Sequence, residues 1–294
     1  MIKVYYVPSR KVTREYLLIA QGLDNHPTVE LVNSEEKADL VFLFYTSLKH
    51  NPELADKFDP KNTVFIDFHD KPQIVFQVDC LAYFKRSWVE MVSRGKYTTK
   101  RAIPWPAHFH PISFAVMDEF LIAQQLERDF ALTCTIRPHA RHPNRPRVLN
   151  FIKSLNIPGK TQIGEFNKGS MDRFNDWEMQ AYFRLLKQSR IIITCNPSRW
   201  EGDHRLWEAL ASGALVFVDE MYTPMMNPLI DNIHCIFYEL SNHGLDDLRT
   251  KILYFIENRG QAAAIAKNGY DYAMKYHRSV HRIDEIFERI RKGF

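Results

Sequence analysis

No run in the 294-residue chain approaches the ~20 consecutive apolar residues that would cross a bilayer. The opening segment MIKVYYVPSR has neither a long apolar core nor a small-residue cleavage site, so a soluble, cytoplasmic protein without a membrane span is expected. Cysteine is scarce. Cys80, Cys134, Cys195 and Cys235 are widely spaced and form no Cys-x-x-Cys pair, which excludes a disulfide framework and leaves reduced core thiols. Charge of one sign is also missing: 39 Lys and Arg against 35 Asp and Glu give a net charge of +4, too little to require nucleic acid as a partner. No Gly-x-Gly-x-x-Gly follows a strand, which disfavours a dinucleotide-dependent dehydrogenase. His108-x-His110 lacks a third ligand nearby, so no metal site is expected.

Apolar residues make up 45% of the chain, enough to build two cores over this length. Short apolar runs alternate with amphipathic stretches in the manner of an α/β protein. In the first half, strands are expected at Ile2 to Val7, Val29 to Val32, Leu40 to Tyr45, Thr63 to Asp67 and Ile74 to Val78, with helices at Thr13 to Gln21 and Ala115 to Arg128. Open α/β sheets bind ligands beyond the carboxyl ends of their strands. That rule directs attention to Arg10, to Tyr45-Thr46-Ser47, to Asp67, His69 and Asp70, and to Asp79 with Lys85 and Arg86. Arg10, Asp79, Lys85 and Arg86 are candidates for holding an acceptor or a phosphate.

The second half is read as a strand at Phe130 to Ile136, an arginine-rich loop from Arg137 to Arg147, and a helix from Arg147 to Leu155. A helix over Asp176 to Gln188 is expected to put Trp177, Tyr182, Phe183 and Leu186 in the core. After a strand at Ile191 to Thr194 comes the most informative stretch, SRWEGDHRLWEALASGALVFVD from Ser198 to Asp219. Asp203 is a good N-cap and Gly213 a good C-terminal stop, followed by a strand at Leu215 to Val218. Between them, Leu206, Trp207, Leu210 and Ala211 form an apolar face, while Arg205, Glu208 and Ser212 fall on another at three- and four-residue steps. Free helix N–H groups and Arg205 suit a diphosphate, and Glu208 suits the two hydroxyls of a ribose. The alternative is a plain surface i,i+3 ion pair. Tyr222 and Thr223, after the next strand end, are candidates for a sugar pocket. A strand at His234 to Tyr238 and helices at Leu245 to Glu257, Gly260 to Tyr276 and Val280 to Lys292 complete the chain, the last with its charges read as a solvated face.

The run DHRLWEALASGALVFVD followed by HCIFYE resembles the donor-binding half of glycosyltransferases with the GT-B fold, in which two Rossmann-like domains face a cleft. It is most similar to exostosin-like enzymes and to spore-coat-type group 1 transferases, including soluble enzymes of large algal viruses such as a xylosyltransferase. The resemblance covers roughly Phe130 to Glu239 and, more weakly, Tyr83 to Ser87. It implies an acceptor domain over residues 1–127, a nucleotide-sugar domain over 128–276, and a terminal helix over 277–294 that packs back on the first domain. The implied reaction is transfer of a sugar, from UDP above other carriers, to a glycan hydroxyl, with inversion. The nucleotide sugar is a co-substrate, and no cofactor is expected. No Asp-x-Asp occurs in the chain, which fits metal-independent chemistry. On this resemblance Asp70 is the first choice for the base that takes the acceptor proton, and His69 the second. Arg137 and Arg141 join Arg205, Glu208 and Ser198 at the donor. Glu201 would contact the donor sugar, although six residues separate it from Glu208 where many such enzymes have seven. A sugar-nucleotide 2-epimerase and a non-catalytic nucleotide-sugar sensor are the competing readings, and a viral enzyme would act in the host cytoplasm.

Overall fold

A computed structural model describes residues 1–94, 97–104, 109–121, 126–166 and 176–292. The first half runs β1 (Ile2–Tyr6), α1 (Arg14–Asp24), β2 (Val29–Leu31), β3 (Leu40–Phe44), α2 (Tyr45–His50), β4 (Thr63–Asp67), β5 (Ala82–Lys85), a hairpin of β6 (Val89–Arg94) and β7 (Tyr97–Ala102), and β8 (Phe109–Pro111). The second runs β9 (Phe130–Cys134), α3 (Asn144–Ser154), β10 (Lys160–Ile163), α4 (Asp176–Lys187), β11 (Ser189–Ile193), α5 (His204–Ala211), β12 (Leu215–Asp219), β13 (Ile236–Tyr238), α6 (Asn242–Glu257), α7 (Arg259–Tyr276) and α8 (Ser279–Lys292). Two parallel sheets result, β2-β1-β3-β4-β5-β8 and β10-β9-β11-β12-β13, each a Rossmann-like unit.

Period-two alternation explains why both sheets are covered on both faces. In β3, Phe42 and Phe44 enter a central core while Val41 and Leu43 enter an outer one under Phe58 and Trp88. In β12, Val216 and Val218 join that same central core, and Leu215 and Phe217 pack outward with α3 and α6 residues such as Val148 and Leu248. The two sheets thus share one apolar core, which α8 helps to close. Helix α8 returns to α1, and the backbone crossing is fastened by Val116 N–H to His277 O at 2.7 Å and Ser279 N–H to Val116 O at 3.0 Å. Gly22 permits the approach, because a Cβ there would lie 2.6 Å from Ser279 O. No helix among the described residues is long and apolar enough to cross a membrane.

Several expectations are corrected. Ile74 to Val78 is not a strand: β5 takes the place beside β4, so Ile74 and Val75 are left exposed while Phe76 and Val78 pack on the outer core. Residues 115–121 are not helical. Phe114 to Met117 are extended and buried, Val116 bridges to Arg278, and a short 3-10 turn covers Asp118–Phe120; residues 122–125 of that expected helix lie outside the described residues. Tyr45 opens a helix instead of closing a strand. Trp177 is 75% exposed, so the core face of α4 is carried by Tyr182, Phe183 and Leu186. Arg282 on α8 is buried beside Trp207 and pairs with Glu285, so the charges of that helix are not all solvated. His108 lies outside the described residues, and His110 sits in β8 with its ring against Phe84. All four cysteines are free thiols, three of them buried.

Gly22 and Gly260 should respond oppositely to alanine. Gly22→Ala overpacks the contact between α1 and α8 and should cost about 1–3 kcal/mol. At Gly260 a Cβ meets nothing, and the helix should gain up to about 1 kcal/mol. Urea unfolding of the two variants measures both signs.

Candidate active site

Because all strands within each sheet run parallel, their carboxyl ends gather at one side, and the two halves meet at a cleft there, where Arg14 reaches Glu208 and Arg86 lies over Trp200. On the second sheet the organising group is Asp203. Its carboxylate caps α5 by accepting His204 N–H at 2.9 Å, and its other oxygen takes Arg145 Nη2 at 2.5 Å with Arg205 Nη1 at 3.6 Å. Burial works against the charge, but Arg145 and Arg205 outweigh it and hold the carboxyl well below its usual range. The helix N-terminus already holds one carboxylate, so the bare N–H groups expected for a diphosphate are reduced. The two guanidiniums beside it differ: among the described residues Arg205 has only the long contact to Asp203, whereas Arg145 is also tied to Cys195 O at 3.1 Å.

One turn inside, Glu208 is buried, not exposed on a polar face. One carboxylate oxygen accepts Arg14 Nη1 from α1 of the other sheet at 3.0 Å, and the other accepts Tyr182 Oη at 3.0 Å. Burial, then the Glu208 charge, push the Tyr182 phenol up, so it stays a donor. The surface i,i+3 pair is absent, since Arg205 faces Asp203 and Glu208 faces Arg14.

Lys100, on the hairpin strand β7, reaches into the second sheet and bridges Asp219 at 2.7 Å and Glu201 at 2.8 Å. Burial alone would discharge this ammonium, but Asp219 and Glu201 raise it and keep it charged. Asp219 also accepts Asn196 N–H at 2.6 Å, and Glu201 accepts the backbone N–H groups of Tyr222 and Thr223 at 2.7 and 2.6 Å. Glu201 is therefore committed to shaping the loop after β12 and does not present its carboxylate to a sugar. Gly202 beside it adopts φ +64°, and a Cβ there would come within 3.0 Å of Ser113, so the loop passes close against the other half.

Across the cleft, Asp67 is wholly internal, accepting His69 N–H at 2.7 Å, Tyr83 Oη at 2.7 Å and Lys85 Nζ at 2.8 Å. Lys85 is thereby consumed and cannot meet a phosphate. Arg86 and Asp70 remain in the cleft. The Arg86 guanidinium lies 4.5 Å from the Trp200 ring and 4.9 Å from Phe114, and it donates to the half-exposed Asp70 at 2.5 Å. His69 packs beside Tyr45, and burial lowers its imidazole toward the neutral form. His142 rests against Trp200 and accepts Ser198 N–H at 3.3 Å; burial, with Arg145 and His139 nearby, brings it down to about 4.

Of the residues expected from sequence, Asp70, His69, Arg86, Ser198, Glu201, Arg205, Glu208, Tyr222 and Thr223 gather around the cleft. Arg10 and Arg141 are exposed, and Arg137 is half-buried at the end of β9. Asp79 is misplaced: it precedes β5 and so lies at the amino end of the sheet, away from the cleft. The sequence does not single out Arg14, Lys100, Arg145, His142, His204 or Trp200, and it marks Tyr182 as core only, where the structure puts its hydroxyl on Glu208. Arg145 lies within the basic loop that sequence had marked, two positions into α3, but Arg14 and Lys100 carry no local pattern. Buried polar atoms without a protein partner cluster here, among them Arg14 Nη2, Asn196 Nδ2, Ser198 Oγ, Trp200 Nε1 and Thr223 Oγ1. No group of three or more metal-ligating side chains occurs among the described residues.

A family model described as glycosyl transferase-like matches residues 141–288, half of the chain. The fold is similar to that of Anabaena HepE in complex with UDP, at 10% identity and TM-score 0.61, over 99% of this chain and 100% of that one. It is similar to an alpha-glucosyltransferase in complex with UDP-glucose and abasic-site DNA, at 9% identity and TM-score 0.61, over 99% of each chain. Sucrose-phosphate synthase of Thermosynechococcus elongatus aligns at 11% identity and TM-score 0.56, over 88% of this chain and 75% of its own. No curated protein sequence matches.

Two outcomes follow for this end of the molecule. Lys100→Met leaves Glu201 and Asp219 buried without their cation and should cost about 3–5 kcal/mol in urea unfolding. Adding Glu201→Gln and Asp219→Asn should recover much of that loss. His142, with a folded value near 4 against an ordinary 6.5, binds its proton less readily when folded; its contribution is full above pH 6.5 and declines as pH falls toward 4. An NMR titration of the imidazole should show that low midpoint.

Proposed function

Because the chain belongs to the glycosyl transferase-like family and is a glycosyltransferase of the GT-B fold, we propose that it transfers a sugar from UDP to a hydroxyl of a glycan acceptor. The observation that carries this reading is the placement of Arg205 and Glu208 on one helix at the cleft, surrounded by buried polar atoms that lack protein partners. A carboxylate has about four lone-pair positions, so Glu208 retains capacity for two ribose hydroxyls beside Arg14 and Tyr182. Arg205 takes the diphosphate, and Tyr222 and Thr223, whose loop Glu201 holds, line the sugar. The UDP and UDP-glucose held by similar folds favour uridine as the base.

In the reaction the acceptor oxygen attacks the anomeric carbon, its bond to the diphosphate oxygen breaks, and UDP leaves. Asp70 removes the acceptor proton, with Arg86 fixing the carboxylate on the first-sheet side of the cleft. His69 is the second candidate for that proton. Inversion follows from a single displacement. Arg205 and its neighbours neutralise the leaving group without a divalent ion. The likeness of the Arg205 to Val218 run to exostosin-like enzymes keeps xylose among the donor sugars, and the first domain holds the acceptor.

Glu208→Gln should weaken UDP binding by about 10- to 100-fold, the range for hydrogen bonds to a charged group. Arg205→Ala should weaken UDP far more than uridine. Asp70→Asn should leave UDP affinity unchanged and lower turnover by about 10²–10⁴-fold. Calorimetry with UDP, followed by nucleotide-release assays over a panel of UDP-sugars with and without EDTA, tests each role. Unaltered UDP binding by Glu208→Gln would remove the ribose assignment.

A further inference from the structure

A second cavity lies at the opposite, amino end of the β9–β13 sheet. It has a volume of about 650 Å³, within the range of small-molecule sites, and sits where α7 passes the amino ends of β9 and β11 and the carboxyl end of α5. The floor is made of small side chains, Ala131, Ala211, Ala262 and Ala266. Close-packed interiors seldom leave such a volume between apolar groups. Met274, Phe120 and Phe255 add larger apolar walls.

The lining is electrically one-sided. Arg128, Lys187, Arg190, Arg259 and Lys267 border the cavity, and no carboxylate does so among the described residues. Arg128 is committed to the carbonyls of Ser212 and Gly213 at 2.9 and 2.8 Å, and Lys267 to Asp271. Burial and the nearby Arg128 push the Lys187 ammonium down, as expected where positive charge is in excess. Arg190 Nε is buried without a hydrogen-bond partner, and Arg259 is exposed at the rim.

We propose that this cavity binds a single-chain alkyl phosphate, with the aliphatic tail on the alanine floor and the phosphate at the rim between Arg190 and Arg259. Apolar depth selects the tail, and the guanidiniums of Arg190 and Arg259 select a doubly charged head over a neutral one. The site is separate from the cleft, since it occupies the amino ends of the strands whose carboxyl ends line the cleft.

Calorimetry of the full chain with monododecyl phosphate, kept below its critical micelle concentration, tests this. One molecule should bind per chain, and inorganic phosphate or a neutral dodecyl ether should bind at least tenfold more weakly. Arg259→Glu, at the exposed rim, and Ala263→Trp, an exposed position that blocks the mouth, should each weaken binding at least tenfold with unchanged circular dichroism. Equal affinity for the neutral ether, or undiminished binding by both variants, overturns the site. Equal affinity for dodecanoate overturns the phosphate head. Absence of saturable 1:1 binding, including uptake seen only with micelles or anionic vesicles, overturns the proposal altogether.

Discussion

Carboxylates buried at the mouths of parallel sheets must be matched by cations, and in this protein many of the matching cations come from another segment of the chain. Asp203 is matched by Arg145 of α3, Asp219 and Glu201 by Lys100 of the hairpin, and Glu208 by Arg14 of α1. Asn196 links two of these sets, giving its N–H to Asp219 and accepting from Asp203 N–H at 3.4 Å. The geometry of the cleft is therefore a consequence of charge pairing between distant segments.

Three of the contacts join the two sheets directly. Arg14 meets Glu208, Lys100 meets Asp219 and Glu201, and the Arg86 guanidinium lies over Trp200. Together with the shared apolar core they fix the groups proposed for the donor against those proposed for the acceptor proton. Arg14 is central to this: its buried Nη2 has no partner, and its Nη1 holds the carboxylate assigned to ribose. Filling the site would change the electrostatic surroundings of both halves together.

The sequence conveyed the fold well wherever the signal was local. Apolar runs such as Leu40 to Phe44 and Leu215 to Asp219 became buried strands, and Asp203 and Gly213 bounded α5, Gly213 at φ +70°. Runs whose fate depended on neighbours misled. Ile74 to Val78 has the composition of a strand but no free sheet position, and Ala115 to Arg128 has helical spacing, yet its first residues are extended and spent on the core. The site was legible for Arg205 and Glu208, which share a helix, and illegible for Lys100 and Arg14, whose partners lie 119 and 194 positions away. Lys85 and Arg86 illustrate the limit: adjacent cations at one strand end, one drawn inward by Asp67 and the other directed into the cleft.

Helix α8 completes the apolar surface of α1, with Ile283, Ile286 and Phe287 in the same core as Leu18, Ile19 and Leu23. During synthesis, α1 and its sheet emerge from the ribosome long before α8 exists to cover them. The amino-terminal half must wait with an unsatisfied greasy flank while the carboxyl-terminal half is still being made, a period in which chaperone protection and translation speed would govern yield.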